Sequence, residues 1–322
     1  LYMYIRKEAL LSSQIEGTQS SLSDLLLYEE AEAPGAPVDD VEEVSTYVAA
    51  LNHGLERLRN GFPFSLRLMR EMHAILLATG RGSTRQPGDF RRSQNWIGGT
   101  RPGNALFVPP PPHLVEDLMR DLERFLHEED SGLPPVIKAG LAHVQFETVH
   151  PFLDGNGRLG RLLVTLYLCE QGILEEPLLY LSLYLKTHRT TYYRLLQEVR
   201  EHGRWEAWLE FFLTGVRDVA RQAHEAARTI EAMFIEDAEK LKGLGRAAPT
   251  ARQIFRVLQT QPLVTIATAA ERAGVSFPSA NTGLQNLQKH GIVSEVTGRT
   301  RGRVFAYTRY LDLLSEGTEP LA

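Results

Sequence analysis

The chain has 322 residues, 43% of them apolar and 23% charged, with a net charge of −5, so a real core is expected, with two domains or one large domain and an appendage. The negative charge argues against a protein that coats nucleic acid along its whole length, and no window approaches the roughly 18 apolar residues of a membrane span. A single cysteine, Cys169, excludes a disulfide framework within the chain and favours a core thiol and a cytoplasmic location.

The sequence predicts a mostly α fold. Apolar periodicity and stop signals predict helices over residues 3–16, 21–30, 40–59, 65–78, 113–128, 135–149, from about 157 onward, 187–200 and 204–242. The helix after residue 157 is apolar on every side, which is typical of the central helix of a bundle.

Residues 79–112 differ from the rest of the chain in their high glycine and proline content. Two short pieces, Asn95–Ile97 and Ala105–Val108, have strand character, and the turn residues GGTRPGN separate them. This pattern predicts a β-hairpin.

The last 75 or so residues are predicted to form a separate unit. Helices over 251–260, 266–273 and 279–290 precede strands over 292–296 and 304–307, which is the order of a winged helix-turn-helix. Residues 245–322 hold nine Lys/Arg and five Asp/Glu, a net +4, which leaves −9 for the rest. DNA binding and protein contacts are both open for this unit. Candidate contacts are Ser279, Asn281, Thr282, Gln285, Asn286 and Lys289 on the third helix and Arg299, Arg301 and Arg303 in the wing.

The segment HPFLDGNGRLGR at residues 150–161 carries the chemistry. Pro151 ends the preceding helix near His150, and a new helix begins within the loop. Gly155 and Gly157 permit positive φ and close approach of a ligand to the backbone. Free N–H groups at a helix start, together with the helix dipole, favour an anion there.

Charged side chains complete this loop as a triphosphate site. Arg158 and Arg161 supply positive charge, and Asp154 is an oxygen ligand suited to Mg²⁺ shared with phosphates. His150 is the one group in the loop that accepts a proton near pH 7. Metal and arginines stabilise charge on the phosphates while the base activates a hydroxyl.

These residues resemble the Fic family, whose signature is H-x-F-x-[D/E]-G-N-G-R-x-x-R. The fixed positions are met by His150, Phe152, Asp154, Gly155, Asn156, Gly157, Arg158 and Arg161. The resemblance implies that His150 is the general base, that Asp154 binds Mg²⁺ and that Arg161 grips the γ-phosphate of ATP. It also implies that Phe152 anchors the loop and that the triphosphate is held by Gly155, Asn156, Gly157 and Arg158.

The predicted hairpin resembles the flap of this family, with Trp96, Ile97 and Gly98 as its candidate residues. An exposed strand edge pairs with an extended stretch of target through main-chain hydrogen bonds, which would bring a Ser, Thr or Tyr to the base. The alternative is a plain surface hairpin. Tyrosines downstream of the motif are candidates for the adenine pocket or for packing, namely Tyr180, Tyr184, Tyr192 and Tyr193.

Residues 12–17, SSQIEG, match the inhibitory pattern [S/T]-x-x-x-E-[G/N] of some Fic proteins. In those relatives the glutamate pairs with the second motif arginine and misplaces the γ-phosphate of ATP. Ser12, Glu16 and Gly17 are therefore the candidate inhibitory residues. The alternative is an ordinary helix end with a solvated glutamate.

The resemblance implies a protein adenylyltransferase that moves AMP from Mg·ATP to a Ser, Thr or Tyr hydroxyl of a target protein. A nucleotide-sensing DNA-binding regulator and an enzyme that removes AMP are the alternatives. Predicted units are an N-terminal segment (1–60), a catalytic domain (61–216), a connecting helix (217–244) and the C-terminal unit (245–322). A homodimer is expected from the resemblance alone.

Overall fold

A computed structural model of the chain describes residues 2–31, 38–128 and 132–320. The body is helical, as predicted. Its helices are α1 (Tyr2–Ile15), α2 (Leu22–Ala31), α3 (Val38–Arg59), α4 (Leu66–Leu76), α5 (Val115–His127), α6 (Pro135–Val149), α7 (Asn156–Glu170), α8 (Ser182–Thr187), α9 (Arg189–His202) and α10 (Trp205–Lys240). No helix in these ranges is long and apolar enough to cross a membrane.

Helix α7 lies at the centre of the body, which confirms the expectation from its apolar sequence. It is buried along nearly its whole length and packs against α3, α4 and α6. Glycines allow α7 to lie close to its neighbours. A Cβ at Gly54 of α3 would lie 2.7 Å from Leu166 of α7, and a Cβ at Gly160 of α7 would lie 2.6 Å from Glu147 of α6. The motif at the start of α7 is therefore held by a buried and closely packed helix.

The segment 95–108 is less regular than the predicted hairpin. Its pairing is a single antiparallel bridge between Ile97 and Phe107, so the two predicted strands are not formed. Asn104 explains this, because its side chain accepts hydrogen bonds from Thr100 N (3.0 Å) and Arg101 N (2.9 Å). These bonds organise a wide turn and leave the ladder only one bridge long.

The C-terminal unit has the predicted order of helices and a larger sheet than predicted. Its elements are α11 (Ala248–Thr260), β1 (Leu263–Thr265), α12 (Ile266–Ala273), α13 (Phe277–Lys289), β2 (Ser294–Glu295), β3 (Val304–Ala306) and α14 (Thr308–Ser315). The antiparallel sheet has the order β1-β3-β2, with Ala306 opposite both Leu263 and Ser294. Strand β1 was not predicted, since three residues show no periodicity, and α14 was not predicted either. Classification of the unit as a winged helix stays a prediction.

The C-terminal unit contacts the N-terminal helices directly. Glu30 of α2 accepts a hydrogen bond from Thr265 N (3.2 Å) at the end of β1, and α14 packs on α1 and α10. Helix α10 runs unbroken through the predicted boundary between residues 216 and 217. The domain limits themselves stay predictions.

Candidate active site

The motif loop is closed by its own side chains. Asn156 accepts a hydrogen bond from Phe152 N and donates one to Phe152 O, both at 2.9 Å, so its amide fixes the turn of the loop. Phe152 is fully buried and stacks on His73 of α4, with ring centroids 3.7 Å apart. The expected anchoring role of Phe152 therefore agrees with its position.

Residue His73 holds the far side of the loop and was missed by the sequence analysis. Its Nδ1 accepts a hydrogen bond from Gly88 N (2.8 Å), so Nε2 carries the proton and donates to Asp154 O (3.0 Å). Burial lowers the pKa of His73 to about 4, which keeps the ring neutral. A lone histidine on a helix gives no sequence signal for this role.

Two further residues, also missed, fix the backbone of His150. The buried guanidinium of Arg91 donates to His150 O (2.9 Å) and Val149 O (3.2 Å). Asn95, the first residue of the predicted hairpin, donates to His150 O (3.2 Å) and Phe152 O (2.9 Å). These bonds satisfy the carbonyl groups that the end of α6 leaves without helical partners.

The base candidate His150 ends α6 in a left-handed conformation (φ 48°, ψ 61°), which is unusual for a residue other than glycine. Its side chain is 20% exposed and faces a cavity. Burial, reinforced by the positive charge of Arg200, lowers the pKa of His150 to about 4. The imidazole is therefore neutral and able to accept a proton at neutral pH.

The anion-binding features meet at the start of α7. Gly155 precedes the helix with φ +75°, as predicted, and the next N–H groups have no helical acceptor. The expectation of positive φ at Gly157 is wrong, because this residue lies inside the helix. A Cβ at this position would lie too close to Oε1 of Glu16, so the Glu16 carboxylate would have to shift.

The inhibitory candidates and Arg161 are in direct contact. Arg161 Nη2 donates to Glu16 Oε1 (2.7 Å) and Ser12 O (3.0 Å), and Nε donates to Ser12 Oγ (2.8 Å). Gly17, two residues after the end of α1, has φ +107°. Burial disfavours the charged form of Glu16, but Arg161 overcomes this and lowers the pKa of Glu16 below its ordinary value. The pair is therefore ionised at neutral pH.

Two adjoining cavities meet at Glu16. A cavity of about 130 Å³ is lined by Asp154, Arg158 and Glu43, and a larger one of about 810 Å³ is lined by Arg161, Glu147 and Arg200. Both are also bounded by Glu16, Arg81, His150 and Gly157. The smaller cavity matches the predicted phosphate site, and Glu16 lies between it and the larger space.

The flap candidates border the larger cavity together with two of the four tyrosines. Trp96, Ile97 and Gly98 line its wall opposite α9, and Trp96 is 39% exposed. Tyr192 and Tyr193 line the same cavity. The other two tyrosines pack elsewhere: Tyr180 lies against Tyr4, and Tyr184 lies against Phe211.

The donor set fits a cation that is shared with phosphates. Asp154 is partly exposed and lines the smaller cavity, where its Oδ1 lies 4.0 Å from Arg158 Nη2. The described residues contain no cluster of three or more His, Cys, Asp or Glu side chains that could enclose a metal ion alone. Mg²⁺ commonly takes one or two carboxylates and completes its shell with phosphates and water, so one aspartate is sufficient.

Known proteins similar to this chain agree with the motif. Residues 63–168 match the family model described as Fic/DOC family, and residues 1–56 match the model described as Fic/DOC family N-terminal. A protein adenylyltransferase Fic of Drosophila yakuba is 29% identical over 221 residues, covering 65% of this chain and 42% of the relative. Another, of Culex quinquefasciatus, is 33% identical over 191 residues, covering 58% and 35%. This chain thus spans less than half of the length of these curated relatives.

Solved structures show the same fold. A Fic family protein from Desulfovibrio desulfuricans G20 superposes with a TM-score of 0.61 at 20% identity, covering 95% of this chain and 87% of that one. Fic-1 from C. elegans superposes with a TM-score of 0.55 at 22% identity, covering 71% and 64%. The two family models together span half of the chain and include the whole motif, and the chain therefore belongs to the Fic/DOC family.

Proposed function

We propose that this protein transfers AMP from ATP to a hydroxyl group of a target protein. One observation carries the proposal: a neutral imidazole and an anion site made of helix N–H groups and Arg158 share one cavity wall. The names of the curated relatives support the same activity. The substrates are accordingly ATP and a Ser, Thr or Tyr side chain presented beside His150.

The proposed reaction assigns one task to each group. Nε2 of His150 takes the proton of the target hydroxyl while its oxygen attacks the α-phosphorus of ATP. The bond between the α-phosphorus and the bridging oxygen breaks, and pyrophosphate leaves. Arg158 and the first N–H groups of α7 stabilise the charge on the phosphates. Mg²⁺ held by Asp154 would neutralise part of the same charge.

Glu16 accounts for control of this reaction. Its carboxylate pairs with the guanidinium of Arg161, which the γ-phosphate of ATP would otherwise contact. The protein is thus autoinhibited as long as α1 stays in place. The flap residues Trp96, Ile97 and Gly98 would pair with the target chain. The proposed location of the protein is the cytoplasm. The dimer expected from the resemblance stays a prediction.

Mass spectrometry of the purified Glu16→Gly variant after incubation with Mg·ATP tests the activity. We expect an added AMP on a Tyr, Ser or Thr of the protein itself or of a protein in a cell extract. A variant that binds ATP but adds no AMP to itself or to any extract protein would contradict the proposal.

The surface of the C-terminal unit favours DNA binding as an additional function. Arg299 and Arg301 are exposed in the connection between β2 and β3. Arg303 donates to Asn281 Oδ1 of α13 (2.7 Å), which ties this basic connection to the candidate recognition helix. Phosphate contacts from a wing and polar contacts from a helix are a usual combination in DNA-binding proteins.

We expect the double variant Arg299→Ala/Arg301→Ala to weaken binding of duplex DNA about tenfold at low salt, because two phosphate contacts are lost. Fluorescence anisotropy with a labelled duplex at several salt concentrations measures this. Arg309→Ala is the matched control, since Arg309 pairs with Glu236 on α10 (2.8 Å). Equal affinity of the double variant and the wild type would exclude this surface as a DNA contact.

A further inference from the structure

A second buried glutamate faces the predicted phosphate site. Glu43 of α3 lies with Oε1 2.9 Å from Nη1 of Arg158, and both side chains are almost completely buried. Neither of these two atoms makes a hydrogen bond of suitable geometry, so the pair is held mainly by charge. Each motif arginine is thus matched by one glutamate from the N-terminal helices: Glu16 for Arg161 and Glu43 for Arg158.

The charges around the smaller cavity show what this second pair does to an incoming anion. Three carboxylates line the cavity, those of Glu16, Glu43 and Asp154, against two guanidinium groups, those of Arg81 and Arg158. A triphosphate brings several negative charges into this space and competes with Glu43 for Arg158. Like charges a few ångströms apart in a partly buried site repel strongly, since water screens them little.

We infer that Glu43 is a second acidic residue that lowers the affinity of this site for the phosphates of ATP, independently of Glu16. The inference rests on the proposed triphosphate site and deepens its regulation. Burial raises the pKa of Glu43 above its ordinary value although Arg158 opposes the shift, in agreement with a carboxylate in an unfavourable position. Removing its charge would leave Arg158 with Asp154, 4.0 Å away, as an acidic neighbour, so phosphate could satisfy more of its positive charge.

Isothermal titration with ATP and with pyrophosphate tests this on the full chain. We expect Glu43→Gln to bind ATP about tenfold more tightly than the wild type, because one repulsive charge is removed while the side-chain shape is kept. Glu43→Asp retains the charge and is expected to bind within about twofold of the wild type. Glu42→Gln, on the same helix but outside the cavity, is the matched control.

The same titrations in the Glu16→Gly background separate this inference from the proposed function. If Glu16→Gly binds ATP and adding Glu43→Gln gives equal or weaker binding, Glu43 only positions Arg158 and the inference is wrong. If none of the variants binds ATP or pyrophosphate, both the inference and the proposed function fail. Circular dichroism and thermal melts confirm that each variant is folded before titration.

An independent observation concerns the segment 316–320 after α14, which is bonded to the inhibitory helix α1. Lys7 donates to Glu316 O (2.9 Å) and Gln14 donates to Thr318 O (2.8 Å). Lys186 of α8 donates to Gln14 Oε1 (2.7 Å) and Gly317 O (3.2 Å). The three donors are buried, so they depend on these carbonyl groups for hydrogen bonds.

We also infer that the segment 316–320 keeps α1 in its inhibitory position and couples it to the C-terminal unit. Gln14 lies between Ser12 and Glu16, the two residues that contact Arg161. Loss of the segment would remove the acceptor of the buried Lys7 and one of the two acceptors of the Gln14 amide, which favours movement of α1. A partner that displaces α14 would then release Glu16.

Hydrogen exchange measures the position of α1 without requiring activity. We expect removal of residues 316–322, and separately Lys186→Met, to speed exchange of the α1 amides at least tenfold while α7 stays protected. The AMP transfer rate would rise in parallel if the proposed function holds. Unchanged exchange in α1 for both variants would overturn the inference. Faster exchange in α7 as well, for both variants, would overturn it too, since the effect would be general destabilisation.

Discussion

We expect the Glu16→Gly variant to transfer AMP about tenfold faster than the wild type. This expectation follows from the charge-assisted hydrogen bond of 2.7 Å between Glu16 and Arg161. Such bonds contribute about 1.5–3 kcal/mol, and each 1.4 kcal/mol corresponds to about tenfold in an equilibrium. We keep to the lower part of this range, because the Glu16 side chain is 31% exposed and water screens part of the attraction.

A graded series distinguishes release of Arg161 from other effects. Ser12→Ala removes only the hydroxyl that accepts from Arg161 Nε, so its rate should rise less than that of Glu16→Gly. Arg161→Ala in the Glu16→Gly background should lose the gain, since the γ-phosphate then has no guanidinium to contact. Rates are measured by mass spectrometry of the modified protein at several ATP concentrations. A Glu16→Gly rate equal to that of the wild type would exclude autoinhibition by this residue.

Replacing His150 by alanine in the Glu16→Gly background should lower the transfer rate by about 10²- to 10⁴-fold, the usual contribution of a positioned general base. ATP affinity should change little, because the phosphates are bound by Arg158, Arg161 and the helix N–H groups. His224→Ala, an exposed position on α10, is the control for removal of an imidazole. Full activity of the His150 variant would show that another group accepts the proton.

The pH profile gives a second test of His150. The pKa of His150 is lowered to about 4, so the ring loses its proton above this value and is competent as a base from about pH 5 upward. The rate should fall only as the pH drops towards 4, and not near 6.5 as for an ordinary histidine. The negative charge of Glu16 raises the pKa of His150, so Glu16→Gly should not raise it further. The fall of the rate at low pH should therefore not move to higher pH in this variant.

Local sequence patterns predicted the helical fold and the motif well. The end of α6 follows from Pro151, and the start of α7 follows from Gly155. Each acts within one or two residues, so a local pattern suffices to locate these two positions. The pairing of Glu16 with Arg161 was suggested by resemblance, and the structure shows Ser12 as a second partner of the same guanidinium. The predicted hairpin is reduced to one bridge, because the side chain of Asn104 accepts the backbone hydrogen bonds that organise the turn.

The sequence by itself determined the helices and the central position of α7, and it predicted the base, the metal ligand and the arginines of the site, since each depends on neighbouring residues or on a short motif. The tertiary structure alone decided which distant residues complete the site. Glu43 contacts Arg158 across the α3–α7 interface, and Arg91 reaches the carbonyl of His150 from another segment. A single charged residue in a helix or loop leaves no periodic pattern, and only burial and close packing reveal its partner.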